Sequence, residues 1–252
     1  MSDDERRTAI APGAIRSSAI IAGNLALYIA VAIAVGAATG DPVAGAAASG
    51  AAVLIAVLIW RRGDLGRSLI AEPSPEIREP VFWAFAVMGL GICWLLGQGV
   101  AEMIYRWQGS EGFDAVTASQ QGTPLPLLLI TALVIAPAGE EALMRGLVYP
   151  VMKSHWPVLA AAFVSSAIFA LLHGNLVQIA LTLPLGILLA LVYEASQRLW
   201  PVIIMHMAFN GLSIVPRSAI ESMAASKHSI AFAGVLLAAL VLCVAAIYPR
   251  AD

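Results

Sequence analysis

Charge is the scarcest feature of this 252-residue chain. Only 12% of its residues are Asp, Glu, Lys or Arg, whereas 60% are hydrophobic and the mean hydropathy is +0.85. A soluble domain carries about 25% charged residues, so the composition excludes an ordinary soluble protein. The formal net charge of -2 gives no indication of a nucleic-acid partner. We therefore predict an all-α, polytopic membrane protein whose partner is the lipid bilayer.

Several catalytic and metal-binding motifs are also missing. The only two cysteines, Cys93 and Cys243, lie inside apolar runs, which favours buried, reduced thiols over a disulfide or a zinc site. There is no HExxH pair, and no Gly-x-Ser-x-Gly sequence that would indicate a serine protease. Asp41, Asp64 and Asp114 fall in predicted connections, which argues against aspartyl chemistry. The lack of an internal repeat argues against a transporter.

Eight apolar runs predict about eight transmembrane helices in a single membrane domain, residues 1–252. The first run is too long for the core of a cleaved signal peptide. The second is rich in Gly, Ala and Ser, which is typical of contact faces between helices in lipid. Residues 105–123 are predicted as a polar loop. The predicted spans are 19–38, 43–60, 81–103, a fourth that starts at 124, 158–173, 176–193, 200–216 and 230–248.

The fourth span runs into two adjacent carboxylates and a guanidinium, in the sequence IAPAGEEALMRGLVYP. Glu141 and Arg145 are four residues apart, so on a helix they share a face and are predicted to pair. Glu140 is turned about 100° away from Glu141 and must face another group. An ionisable side chain at membrane depth costs roughly 2.5 to 3.5 kcal/mol. The cluster therefore indicates a functional site.

Two later spans carry further polar side chains. His173 closes the fifth span in the string FALLHGN, and His206 and Asn210 share a face of the seventh in HMAFN. A glutamate and a histidine beside a water molecule can activate that water, and a histidine and an amide can donate to an oxyanion. Together these groups are a complete set of parts for hydrolysing an amide inside a membrane. The alternative is that each forms a hydrogen bond that merely holds helices together.

The distribution of cations predicts the orientation of the spans. With the N-terminus inside, the inner segments hold 11 of the 14 Lys and Arg residues and the outer segments hold 3. Both termini are therefore predicted to be cytoplasmic. Glu140 is predicted to lie at the cytoplasmic end of its helix.

The three motifs EExxxR, FxxxH and HxxxN, in this order, resemble those of the CAAX-protease and bacteriocin-processing family, also called the Abi family. The resemblance covers roughly residues 124–212 and implies an intramembrane endopeptidase with a polar cavity among its helices. In the family pattern Glu140 and His173 activate water, while His206 and Asn210 stabilise the oxyanion. The implied substrate is a membrane-associated or lipidated peptide, including prenylated CAAX proteins. The remaining motif residues are predicted to support the site: Glu141, Arg145 and Phe169.

The residues leave two alternatives to this interpretation open. Glu140, His173 and His206 are ligand types that zinc accepts, although glutamate and histidine can activate water without a metal, which is the mechanism we favour. The protein can also be a non-catalytic immunity factor or peptide-binding scaffold of the same family. The oligomeric state does not follow from the sequence.

The depth of His173 is a separate question. A straight helix from Val158 would place His173 about 22 Å along its axis, far from the end that carries Glu140. Either residues 146–160 dip into the bilayer, or the helices tilt and the fifth span breaks at His173. Gly174 and Asn175 favour a break, since irregular backbone at depth is tolerated where it lines a cavity.

Overall fold

The computed structural model describes residues 3–71, 73–213 and 229–248. Over these residues the secondary structure is helical and contains no β-strand. A short helix Asp64–Ser68 and a 3₁₀ turn Pro75–Arg78 lie between two longer helices, Pro42–Arg62 and Pro80–Gln108. The longer helices are α1 Asp3–Thr39, α2 Pro42–Arg62, α3 Pro80–Gln108, α4 Glu111–Gly122, α5 Leu125–Lys153, α6 Val158–Leu171, α7 Leu176–Ser196, α8 Leu199–Leu212 and α9 Ser229–Ile247.

Five of the described helices are long and apolar enough to cross a membrane, namely α1 from Ser17 onward, α2, α3, α5 and α7. The predicted all-α polytopic membrane protein is therefore confirmed. Helices α6 and α8 are apolar but have only 14 residues each, which corresponds to about 21 Å. The part of α9 whose side chains the structure describes, Gly234–Ile247, is also short. The end of the predicted seventh span, beyond residue 213, lies outside the described residues.

Two predicted boundaries are wrong. Residues 3–18, predicted as a polar segment before the first span, continue the α1 helix. Residues 105–123, predicted as a loop, contain helix α4. The Ser110 side chain caps α4 by accepting a hydrogen bond from the Phe113 amide, and Glu111 and Asp114 lie in its first turn, where the helix dipole favours acidic groups. No side chain of α4 is buried, so no hydrophobic periodicity marked it.

Helix α5 contains two π-helical turns, one on each side of the regular segment that carries the paired glutamates. They span Thr131–Ile135 and Met144–Val148. The Asn210 amide donates to the carbonyl oxygen of Ala132 in the first turn, at 2.8 Å. Arg61 Nη1 donates to the carbonyl oxygen of Gly146 in the second turn, at 3.1 Å. Each π turn is thus held by a side chain from another helix, and such turns often occur at functional sites.

Helices α2 and α5 cross in close contact at a pair of glycines. A Cβ atom built on Gly139 would lie 2.5 Å from the Cα atom of Gly50. Small residues permit such an approach of two backbones in a membrane, as the composition of the second span predicts. Because Gly139 directly precedes Glu140, this crossing fixes the position of the glutamate relative to α2.

We expect Gly139→Ala to lower the free energy of unfolding by about 1 to 3 kcal/mol, because the added methyl group forces the two backbones apart. The midpoint of thermal denaturation in detergent measures this effect. Gly99→Ala is a matched control, since a Cβ there meets no atom within 4 Å. Equal midpoints for the two variants would show that the helices do not cross this closely.

Candidate active site

The site is built around a buried ion pair within α5. Glu141 and Arg145 are both 0% exposed, and Arg145 Nη1 donates to Glu141 Oε1 at 3.0 Å. Arg145 Nη2 donates to the carbonyl oxygen of Gly186 in α7 at 2.5 Å. Its guanidinium carbon lies 5.4 Å from the centroid of the Phe169 ring, a cation–π geometry. The predicted contact between Glu141 and Arg145 is present. Arg145 also joins α5 to α6 through Phe169 and to α7 through Gly186.

His206 of α8 contacts the same glutamate. Its Nδ1 lies 2.8 Å from Glu141 Oε1, and the ring is buried with 3% exposure. An ionised carboxylate only accepts hydrogen bonds, so Nδ1 carries the hydrogen in this contact. His206 Nε2 then points toward the remaining glutamate, with 3.7 Å between Nε2 and Glu140 Oε2. Glu141 therefore fixes both the ring orientation and the tautomer of His206.

Glu140 faces α1 as well as α8. The Tyr28 hydroxyl donates to Glu140 Oε1 at 3.1 Å, while Oε2 is the oxygen opposite His206. The carboxylate is not sealed off, since 14% of the side chain remains exposed. Sequence reasoning did not single out Tyr28, although a phenol in the middle of the apolar string LALYIAV was an available signal.

His173 lies just after the end of α6, in the turn that leads to α7. Gly174 adopts a φ of +74°, and Asn175 caps α7 by accepting from the Gln178 amide at 2.9 Å. The helix break predicted at this point is therefore confirmed, and the helix of the fifth span ends at Leu171, two residues before the predicted end at His173. His173 Nδ1 lies 3.1 Å from the carbonyl oxygen of Phe169. That contact assigns the hydrogen to Nδ1 and leaves Nε2 as the acceptor of a neutral ring.

The Phe169 ring brings the three motifs together. Its centroid is 5.1 Å from that of His173 and 5.7 Å from that of His206, and both imidazoles meet it edge to face. Arg145 lies over the same ring. Phe169 is 1% exposed, so its ring is a buried apolar contact that the two histidines share.

Asn210 lies one turn beyond His206 on α8 and is partly buried. Its amide nitrogen has two hydrogens, and the bond to the Ala132 carbonyl uses one of them. The contact ties α8 to the first π turn of α5, so Asn210 has a structural part in the site. Its predicted part in binding an oxyanion stays a prediction.

The alternative zinc ligands do not form a metal-binding set in this arrangement. Among the residues that the structure describes, no three His, Cys, Asp or Glu side chains come together in a group that could hold a metal ion. Glu140 and His206 lie side by side, while His173 and His206 each contact the Phe169 ring.

Comparisons with known proteins agree with the motifs. Residues 122–212 match the family described as Rce1-like, type II CAAX prenyl endopeptidase. This segment contains the α5 to α8 region that carries the paired glutamates and both site histidines. The predicted family resemblance is thereby confirmed.

Two curated relatives match the chain over longer stretches. A proposed membrane peptidase of Bacillus subtilis (strain 168), YdiL, is 26% identical over 167 residues, which cover 64% of this chain and 66% of the relative. The membrane-embedded CAAX protease MroQ of Staphylococcus aureus (strain USA300) is 28% identical over 157 residues, which cover 56% of this chain and 61% of the relative. The chain thus spans slightly less than two thirds of either relative. No solved structure matches the chain.

Proposed function

We propose that this protein is an intramembrane endopeptidase, because residues 122–212 match the family described as Rce1-like. Its substrate is a membrane-associated or lipidated peptide, of which a prenylated protein is one form. The observation that carries the proposal is the carboxylate of Glu140, partly exposed and directly beside His206 in a bundle of apolar helices. A carboxylate kept in such surroundings at a cost in free energy indicates chemical use. By the distribution of cations, the site faces the cytoplasm.

Glu140 acts as the general base. Its Oε2 atom is the oxygen that Tyr28 does not hold, and its 3.7 Å separation from His206 Nε2 is too long for a direct hydrogen bond. A water molecule beside both atoms can donate one of its two hydrogens to Glu140 Oε2. Glu140 takes a proton from that water while the water oxygen attacks the peptide carbonyl carbon. The proton then passes to the departing nitrogen, the C–N bond breaks, and a carboxylic acid and an amine are released.

The other polar groups assist this reaction. His173, with its Nδ1 directed to the Phe169 carbonyl, presents Nε2 to accept a hydrogen bond from the water. His206, held at Nδ1 by Glu141, donates from Nε2 to the developing oxyanion when its ring is protonated. The amide of Asn210 is the second oxyanion donor. Glu141 and Arg145 position His206, and Phe169 packs against both imidazoles.

Cleavage of lipid-anchored peptides by purified protein in liposomes tests the proposal. Mass spectrometry of the products identifies a new C-terminus and a new N-terminus at one peptide bond. Protein with Glu140→Gln, purified in the same way, shows whether a contaminating protease is responsible. Binding of the peptides without any cleavage would instead support the immunity or scaffold function.

A strong chelator is expected to leave the cleavage rate unchanged, because the proposed mechanism needs only glutamate, histidine and water. The rate is measured before and after dialysis against the chelator, with a zinc-dependent peptidase in parallel as the control. Loss of activity that zinc restores would contradict the metal-free mechanism. It would make Glu140, His173 and His206 the candidate ligands.

A further inference from the structure

We infer that Tyr28 is a positioning residue for Glu140, and that α1 is therefore part of the catalytic machinery although it lies outside the matched segment 122–212. The inference rests on the proposed endopeptidase function. It assigns a role in the reaction to α1, a helix that carries none of the three sequence motifs.

One stripe of α1 packs beside the site. Ile20, Ile21, Leu25 and Tyr28 follow the spacing of a single helix face, and they pack against a buried cluster formed by α2, α5 and Phe169. The residues between them on α1 are largely exposed. The stripe ends at Tyr28. When its apolar residues pack against the cluster, the phenol hydroxyl of Tyr28 therefore lies next to the carboxylate of Glu140.

The hydroxyl restricts which oxygen of Glu140 reacts. Tyr28 donates to Oε1 at 3.1 Å, which turns Oε2 toward His206 Nε2. A glutamate side chain has three rotatable bonds, and a donor on one oxygen removes much of that freedom before substrate binds. On the same helix as Glu140, Glu141 and Arg145 bond to each other. Tyr28 is therefore the group on α1 that orients the base.

The opposing interpretation is that the bond only fastens α1 to the bundle. The two roles differ in their kinetic effects. A positioning residue changes the chemical step, so its loss lowers kcat and leaves KM unchanged. A purely structural bond changes the stability or the folded yield, but not kcat per folded molecule.

The experiment compares Tyr28→Phe with Tyr105→Phe in the peptide-cleavage assay. Tyr28→Phe keeps the ring that packs in the stripe and removes only the hydroxyl. Tyr105→Phe removes a hydroxyl that donates to Asp114 at 2.8 Å, outside the site, and is the matched control. We expect Tyr28→Phe to lower kcat about tenfold with KM within about twofold of wild type, since a hydrogen bond to a charged group is lost. Tyr105→Phe is expected to leave both constants unchanged.

Three results would overturn the inference. A wild-type kcat for Tyr28→Phe, with Glu140→Gln inactive, would refute the role of Tyr28 and leave the endopeptidase function intact. A raised KM with an unchanged kcat would make Tyr28 a substrate contact instead. Full cleavage by Glu140→Gln would refute both the inference and the proposed function. The folded fraction of each variant is determined by size-exclusion chromatography, and every kcat is expressed per folded molecule.

Discussion

Replacing Glu140 by glutamine is expected to abolish peptide cleavage, with kcat falling by a factor of about 10² to 10⁴. An amide does not take up a proton from water at neutral pH, so the variant lacks the general base. Glutamine has nearly the same shape as glutamate, and its amide oxygen can still accept the hydrogen bond from Tyr28. The fold should therefore persist while the chemistry is lost.

Release of product from a lipid-anchored peptide under saturating conditions measures this loss. Glu111→Gln is the matched control, because Glu111 is exposed in the first turn of α4 and takes no part in the site. The control should cleave at the wild-type rate, and both variants should keep the wild-type denaturation midpoint within a few degrees. A Glu140→Gln variant with more than a tenth of the wild-type kcat would show that another group is the base.

Contacts within one helix were predictable from spacing. Glu141 and Arg145 are four residues apart, and their ion pair is present because helix geometry alone brings such side chains together. The break at His173 was also signalled locally, by a glycine that adopts positive φ and an asparagine that caps the next helix. The small residues of α2 were a further local signal, and they favoured its close contact with another helix, which is α5.

Contacts between distant helices left no comparable signal. Tyr28 and Glu140 are 112 positions apart, and no spacing rule relates a phenol in the first span to a carboxylate in the fourth. The π turns were also missed, since one extra residue per turn leaves an apolar run apolar. The contact of His206 with Glu141 depends on how α8 packs against α5. The motif residues were thus predicted from the sequence, while their partners needed the tertiary structure.

Replacing Arg145 by methionine is expected to destabilise the protein by about 3 to 5 kcal/mol, because it leaves the buried carboxylate of Glu141 without its cation. Both side chains of this pair are fully buried, so water cannot solvate the remaining charge. Removal of Arg145 also frees the carbonyl oxygen of Gly186 and the face of Phe169 from their contacts. The midpoint of thermal or denaturant-induced unfolding in detergent measures the loss, with exposed Arg67→Met as the control.

Adding Glu141→Gln to Arg145→Met distinguishes the effect of the ion pair on stability from its effect on peptide cleavage. In Glu141→Gln with Arg145→Met no buried charge of the pair remains, so the double variant should be more stable than Arg145→Met alone. Destabilisation equal to the sum of the two single variants would show that the pair is not coupled. The double variant should nevertheless cleave slowly even when it is folded. The glutamine that replaces Glu141 has no charge with which to stabilise a protonated His206, and so the donor at Nε2 that the proposed reaction needs would be lost.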